Sequence, residues 1–407
     1  MGKLNNPKGT KKNKKLILLL CIAPLIMLAA CKSNSTAVTE KKEPKLPLLY
    51  TKWPFPVGVA ASSKAFIQSG NQYDLLAHYN VLVAENEMKP DALMPPSGSG
   101  AYRWTNADTL VNYAQEKNLK IRGNTLVWHN RTPAWFFAGS GVGGLATKEQ
   151  LYARMEDHIK TVFEKYGGKI GWWDVCNEPL GDDGNPRAVT SSKYTAIMIN
   201  SGLKDINRYE YVLMAFRWAR KYADANGGQN VKLYLNEYNL EYDGVKQSEF
   251  IKLVKWLLEN DAPIDGIGLQ CHIKWDWPSV AQISSAIDKF AAITRKDGVK
   301  LMTQVTELDL SLFSSNESDY NGGGRFLLTL PDIMRDRRLP TQAKKYRDLF
   351  DMFKRKYEEG KLEMVLIWGL SDGHSPLNNS PAKGRTDYPL LFDRNYEPKQ
   401  SYWELVK

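Results

Sequence analysis

Glu178 ends the run Trp172-Trp173-Asp174-Val175-Cys176-Asn177-Glu178, and Glu307 follows Val305-Thr306 in a second apolar run, two residues ahead of Asp309. Both are carboxylates at the mouths of strand-like segments. Cleaving a glycosidic bond needs a proton for the leaving oxygen and a second carboxylate to meet an oxocarbenium-like transition state, and two such groups on facing walls could supply both. A single strand-end glutamate is ordinarily a solvated surface charge. The pair, each embedded in apolar sequence and Glu178 beside the amide of Asn177, is harder to explain in that way.

Short apolar runs alternate with longer amphipathic ones along the chain. Strands are expected over 57–60, 81–84, 120–127, 170–176, 231–235, 266–271, 301–306 and 364–368. Between them lie helical patterns near 108–117, 209–225, 247–258, 280–294 and 342–357. The clearest places Leu151, Met155, Ile159, Phe163 and Tyr166 on one stripe, entered through a Thr147-x-x-Gln150 capping box. Eight strand–helix units predict an α/β fold, a single (β/α)8 TIM barrel, with a doubly wound open sheet as the rival. Polar residues recur after most strands, at Glu85-Asn86, Trp128-His129, Asn177-Glu178, Asn236-Glu237, His272, Glu307 and Trp368. A barrel gathers its site from all around the ring, whereas an open sheet concentrates it at one switch point.

The N-terminus needs separate treatment. Basic residues from Lys3 to Lys15 precede an apolar stretch from Leu16 to Ala30, too short to span a membrane comfortably, which reads as an export signal over 1–30. It ends in Leu28-Ala29-Ala30-Cys31, similar to a bacterial lipobox, so Cys31 is the expected lipidation site. Residues 31–46 then form a tether with almost nothing apolar, and 47–407 the barrel. The protein is expected to be exported and lipid-anchored in the cell envelope, at the outer membrane, touching membrane through that anchor alone. Removing the six lysines of the signal takes the formal charge from +10 to +4, which leaves little case for nucleic-acid binding. Cys176 and Cys271 lie in apolar runs and read as buried thiols, although an exported protein could pair them. No metal-ligand spacing links them to the histidines; no metal or cofactor is expected, and a monomer is.

The ordered motifs resemble those of glycoside hydrolase family 10 xylanases from about residue 55 to 402. They include Ala84-Glu85-Asn86-Glu87-Met88-Lys89, Arg122-Gly123-x-Thr125-Leu126-Val127-Trp128-His129, the 174–178 segment, Tyr234-Leu235-Asn236-Glu237-Tyr238-Asn239, Gly266-Ile267-Gly268-Leu269-Gln270-x-His272, Thr306-Glu307-Leu308-Asp309, Trp368-Gly369 and 388–393. The resemblance implies an endo-1,4-β-xylanase acting by retaining double displacement, with Glu178 as acid/base and Glu307 as nucleophile. It implies that Asn177 contacts the 2-hydroxyl of the attacked ring, that Gln270 bonds Glu178, and that His272 and Asp309 support Glu307 through a neutral or proton-sharing imidazole. Glu85, Asn86 and Lys89 would grip the next ring toward the non-reducing end. Trp128 and Trp368 would wall the attacked ring, and Tyr238 would face the leaving group.

Three residues depart from that family's pattern. Asn124 replaces a histidine near the 3-hydroxyl of the attacked ring, Arg131 replaces a glutamine, and Pro376 replaces a tryptophan. An opened cleft with a fixed cation at Arg131 suggests tolerance of decorated rings, glucuronate included. The substrate expected is therefore xylan or a related β-linked polysaccharide. A different β-glycan is one alternative, and a glycan-capturing lipoprotein without catalysis is another. Retention of Glu178, Glu307, Asn177, His272 and Gln270 argues against the last, since pure capture needs no proton donor. Gly139-Ser140-Gly141-Val142-Gly143-Gly144 spells G-x-G-x-x-G, but it follows Trp135-Phe136-Phe137 rather than a strand, so a flexible loop is expected in place of a dinucleotide site.

Overall fold

The computed structural model describes residues 46–68, 70–314 and 327–407. The signal, Cys31 and nearly all of the tether lie outside these. Nine parallel strands form one sheet: β1 (Val57–Ala61), β2 (Val81–Ala84), β3 (Lys120–Trp128), β4 (Trp172–Asn177), β5 (Lys232–Glu237), β6 (Gly266–Leu269), β7 (His272–Lys274), β8 (Met302–Ser311) and β9 (Leu362–Ile367). β1 pairs with both β2 and β9, and β6 pairs with β8, so the sheet closes on itself. The result is a (β/α)8 barrel, not the open sheet.

Nine strands make eight walls because the sixth is broken. β6 stops at Leu269, Cys271 takes a left-handed φ of 60°, and β7 resumes at His272, opposite Asp309 of β8. The seventh wall runs farther than the sequence pattern suggests, through Ser311, and so carries both Glu307 and Asp309 in one strand.

Helices cover the outside. That over Lys148–Tyr166 starts at the Thr147/Gln150 capping box, in which each side chain bonds the other residue's backbone N–H, and a second box joins Ser279 to Gln282. The last long helix is longer than the expected 342–357: it runs Asp332–Glu358 and continues through Pro340, a residue that lacks the N–H for an intrahelical bond.

The barrel interior is not wholly apolar. Arg122 on β3 makes a bidentate ion pair with Asp174 on β4, both side chains being fully buried, and its Nε donates to Gln304 Oε1 at 2.7 Å. Gln304 in turn donates to Glu363 at 2.7 Å, which also accepts from Trp172 and Tyr234. Asn124 belongs to this layer. It is 1% exposed and its Nδ2 donates to Asp174 Oδ2 at 2.8 Å.

The Gly139–Gly144 segment is more ordered than a flexible loop, since Gly139 N and Gly141 N bond the carbonyls of Gly144 and Leu145 at 2.9 and 2.6 Å.

Candidate active site

The C-terminal ends of β2 to β9 bring the candidate residues to one mouth. Glu178 directly follows β4 and has a φ of 53°, a left-handed conformation that costs a non-glycine residue about 1–3 kcal/mol. Two bonds hold this turn: its N–H donates to Asn236 O at 2.9 Å, and Arg187 Nε donates to its carbonyl at 2.6 Å. Its carboxylate accepts from Trp128 Nε1 at 3.0 Å, Gln270 Nε2 at 3.1 Å and Asn177 Nδ2 at 3.3 Å.

Glu307 lies where the register between β8 and β9 slips, between Val305 and Leu308, an irregularity of the kind that re-aims side chains beside active sites. Its N–H donates to Gln270 O at 2.9 Å. One carboxylate oxygen accepts from Asn236 Nδ2 at 2.8 Å, and the other is 3.2 Å from His272 Nε2. Burial pushes the Glu307 carboxyl up, but the hydrogen bond and charge of His272, with Lys89 and Asn236, outweigh it and hold the group below its ordinary 4.5.

His272 is held on its other side by Asp309, Nδ1 to Oδ2 at 2.8 Å. Burial alone would lower its pKa; the two carboxylates Asp309 and Glu307 raise it well above the usual 6.5. That shift favours a protonated ring donating to both carboxylates.

Asn236 joins the two walls. Its Nδ2 also donates to Asn177 Oδ1 at 2.9 Å, and its Oδ1 accepts from Thr306 at 2.7 Å. Gly268 gives it room, since a Cβ there would lie 2.1 Å from Asn236 Oδ1. Sequence reasoning placed Asn236 at a strand end without giving it a role; the signal was its pairing in register with Asn177.

On the β2 side, Glu85, Asn86 and Lys89 form a connected group. Asn86 Nδ2 donates to Glu85 at 3.2 Å and its Oδ1 accepts from Lys89 Nζ at 3.3 Å. Lys89 Nζ lies 5.0 Å from the Trp128 ring centroid and 5.8 Å from that of Trp368. Burial lowers its pKa and the charge of Glu307 opposes that shift. Trp368 is 5% exposed and meets His272 edge-on at 6.3 Å. Arg131, expected as a fixed cation, is held by two partners. Its Nε donates to Asp91 at 2.6 Å and its Nη1 to Asn86 Oδ1 at 2.9 Å, so its charge is matched and it braces Asn86. Pro376 is exposed, in the short turn Pro376–Asn378.

Tyr238 stands on the opposite flank in a network the sequence did not reveal. Its hydroxyl donates to Asp182 and accepts from Arg187 Nη2 at 3.2 Å. Lys246 Nζ sits 3.2 Å from its ring centroid, 2.9 Å from Glu237 and 3.6 Å from Asp182. Burial raises the Glu237 carboxyl to about 7, against the pull of Lys246. Arg187 and Lys246 come from a loop and a helix start, where no strand-end periodicity marks them.

Cys176 and Cys271 are buried free thiols, their pKa values raised by burial. Among the described residues no cluster of three or more His, Cys, Asp or Glu side chains is arranged to hold a metal.

A closed parallel barrel whose mouth brings together two carboxylates, one bonded by His272 and Asn236 and the other by Trp128, Gln270 and Asn177, is the framework of a glycoside hydrolase. The glycosyl hydrolase family 10 model matches residues 48–407, and the chain belongs to that family. It is 35% identical to a β-1,4-xylanase of Dictyoglomus thermophilum over 392 residues, covering 96% of this chain and 98% of that protein. It is 36% identical to a thermostable celloxylanase of Thermoclostridium stercorarium, covering 96% and 94%. It is also 37% identical to endo-1,4-β-xylanase C of Paenibacillus barcinonensis, over 86% of this chain but 30% of that longer protein. A solved family 10 structure from Paenibacillus barcinonensis superposes with a TM-score of 0.77 at 36% identity, covering 89% of this chain and 97% of that one.

Proposed function

We propose that this protein is an endo-1,4-β-xylanase that works by double displacement with retention. The carrying observation is the contrast between its two carboxylates. Glu307, kept ionised by His272, is suited to attack the anomeric carbon. Glu178, which accepts from Trp128, Gln270 and Asn177 and has the Arg187 guanidinium 3.6 Å from one oxygen, is suited to deliver a proton to the leaving oxygen and then take one from water. Asn177 is assigned the ring's 2-hydroxyl, and Glu85, Asn86 and Lys89 the next ring; the bonds of Asn177 to Glu178 and Asn236 support the first. The xylanase relatives support the linkage, and a similar solved structure of a Thermoanaerobacterium saccharolyticum xylanase carries xylotetraose.

We further propose export and lipid attachment at Cys31, supported by the basic and apolar segments ahead of it and the small residues at 29–30. Such an anchor would hold the enzyme in the cell envelope beside polymeric substrate. Mass spectrometry of the membrane fraction, with Cys31→Ser as comparison, tests it; an unlipidated wild-type N-terminus would end the idea.

For the enzymatic reading, the purified protein is incubated with plain and glucuronate-decorated xylans, mixed-linkage glucan and cellulose, with Glu307→Ala as control. Xylo-oligosaccharides should be released by the wild type alone. Cleavage of another glycan with silence on xylan would overturn the substrate, and binding without cleavage would overturn the enzyme.

A further inference from the structure

We infer that Arg187 is a positioning residue for proton delivery by Glu178, and that it ties the acid/base to the wall that receives the leaving group. The inference rests on Glu178 acting as acid/base. Three contacts of one guanidinium carry it. Nε donates to the carbonyl of Glu178 at 2.6 Å, Nη2 donates to the Tyr238 hydroxyl at 3.2 Å, and Nη2 lies 3.6 Å from Glu178 Oε2. The Arg187 side chain is 12% exposed and that of Glu178 17%, so the contacts are largely shielded from solvent.

The backbone of Glu178 is where such a clamp matters. Its left-handed φ of 53° aims the carboxyl into the cleft and would relax without support. Asn236 O holds the N–H side of that turn and Arg187 the carbonyl side. A planar guanidinium with donors fixed in a fork can bond a main-chain oxygen and a phenol together, which a lysine cannot do in the same geometry.

The same fork reaches outward. Tyr238 is bonded to Asp182 and covered by Lys246, which is paired with buried Glu237. Glu237 accepts from the N–H of Leu180, two residues beyond Glu178, at 3.1 Å. The segment following the acid/base is thus fixed from both ends, by Arg187 and by Glu237, to the flank that carries Tyr238. A leaving sugar seated against Tyr238 would meet a proton donor whose backbone is held by the same arginine.

The test separates placement of the proton from general damage. In the first step a Glu307 carboxylate oxygen bonds C1 as the bond from C1 to the leaving oxygen breaks, and the Glu178 O–H proton goes to that oxygen. A dinitrophenolate departs as an anion and needs no such proton. Arg187→Met should lower kcat/KM on xylohexaose about 10²-fold, within the range ascribed to a positioned proton donor, and on dinitrophenyl β-xylobioside less than about tenfold. Arg187→Lys should recover part of the loss on xylohexaose. The ratio of the two substrates is independent of how much variant is folded. Equal losses on both, or no loss on xylohexaose, would overturn the role of Arg187. A wild type inactive on both substrates would instead overturn the enzymatic reading, and the proposal with it.

Discussion

Two layers of charge lie one above the other in this barrel, and they are built for opposite ends. In the lower one Arg122 and Asp174 are wholly buried, with Gln304 and Asn124 completing their bonds. In the upper one the side chains of His272, Glu178 and Glu307 are 31%, 17% and 7% exposed. Both layers join cations to carboxylates across neighbouring strands. The lower keeps the Arg122 and Asp174 side chains away from solvent. The upper opens to the cleft, where protons can pass to substrate and water. Ionisable groups in a barrel therefore become chemically useful through access and unequal surroundings, not through burial alone.

The comparison breaks if the two layers respond alike to loss of a charge. The largest effect is expected for Glu307→Ala, which should cut kcat by about 10⁴-fold or more, as when a covalent nucleophile is removed from an otherwise intact site. Its thermal unfolding should stay near wild type, because functional charges are often held at some cost to stability. Next comes Arg122→Met, which strands Asp174 without its partner and should lower unfolding free energy by about 3–5 kcal/mol in denaturant titrations. The folded fraction should keep nearly normal kcat. An Arg122→Met protein as stable as wild type, or an inactive one with normal stability, would remove the distinction between the layers.

Much of this was readable from residues alone. The eight walls were visible because apolar runs and amphipathic stretches alternate, and the two glutamates because each ends such a run. What escaped depends on contacts distant in sequence. The sixth strand's break at Gln270–Cys271 follows from a left-handed residue that no periodicity marks. Asn124 read as a cleft residue through its place in a family motif, and its bond to Asp174 below shows only in the fold. The partner of Arg131 was not legible because Asp91 lies 40 residues earlier in the chain. Arg187 had no pattern at all, since a loop residue is recruited by geometry only after folding.

The charge on His272 offers the finest division between the layers, because it alone distinguishes a tuned site from a merely bonded one. Glu307 is held below its ordinary value by a cation at hydrogen-bond distance, against the upward push of burial. Activity that requires the ionised carboxylate is then lost only when pH falls through that depressed value. His272→Asn keeps a neutral donor within reach but removes the charge, so burial should dominate and the Glu307 carboxyl should rise. The acid limb of kcat/KM against pH, which reports the free enzyme, should move to higher pH, while the plateau falls less than in Glu307→Ala. An acid limb that stays in place would mean the hydrogen bond alone keeps Glu307 ionised and that the imidazole is neutral. A limb that moves to lower pH would mean His272 was opposing ionisation, which the paired geometry with Asp309 does not allow.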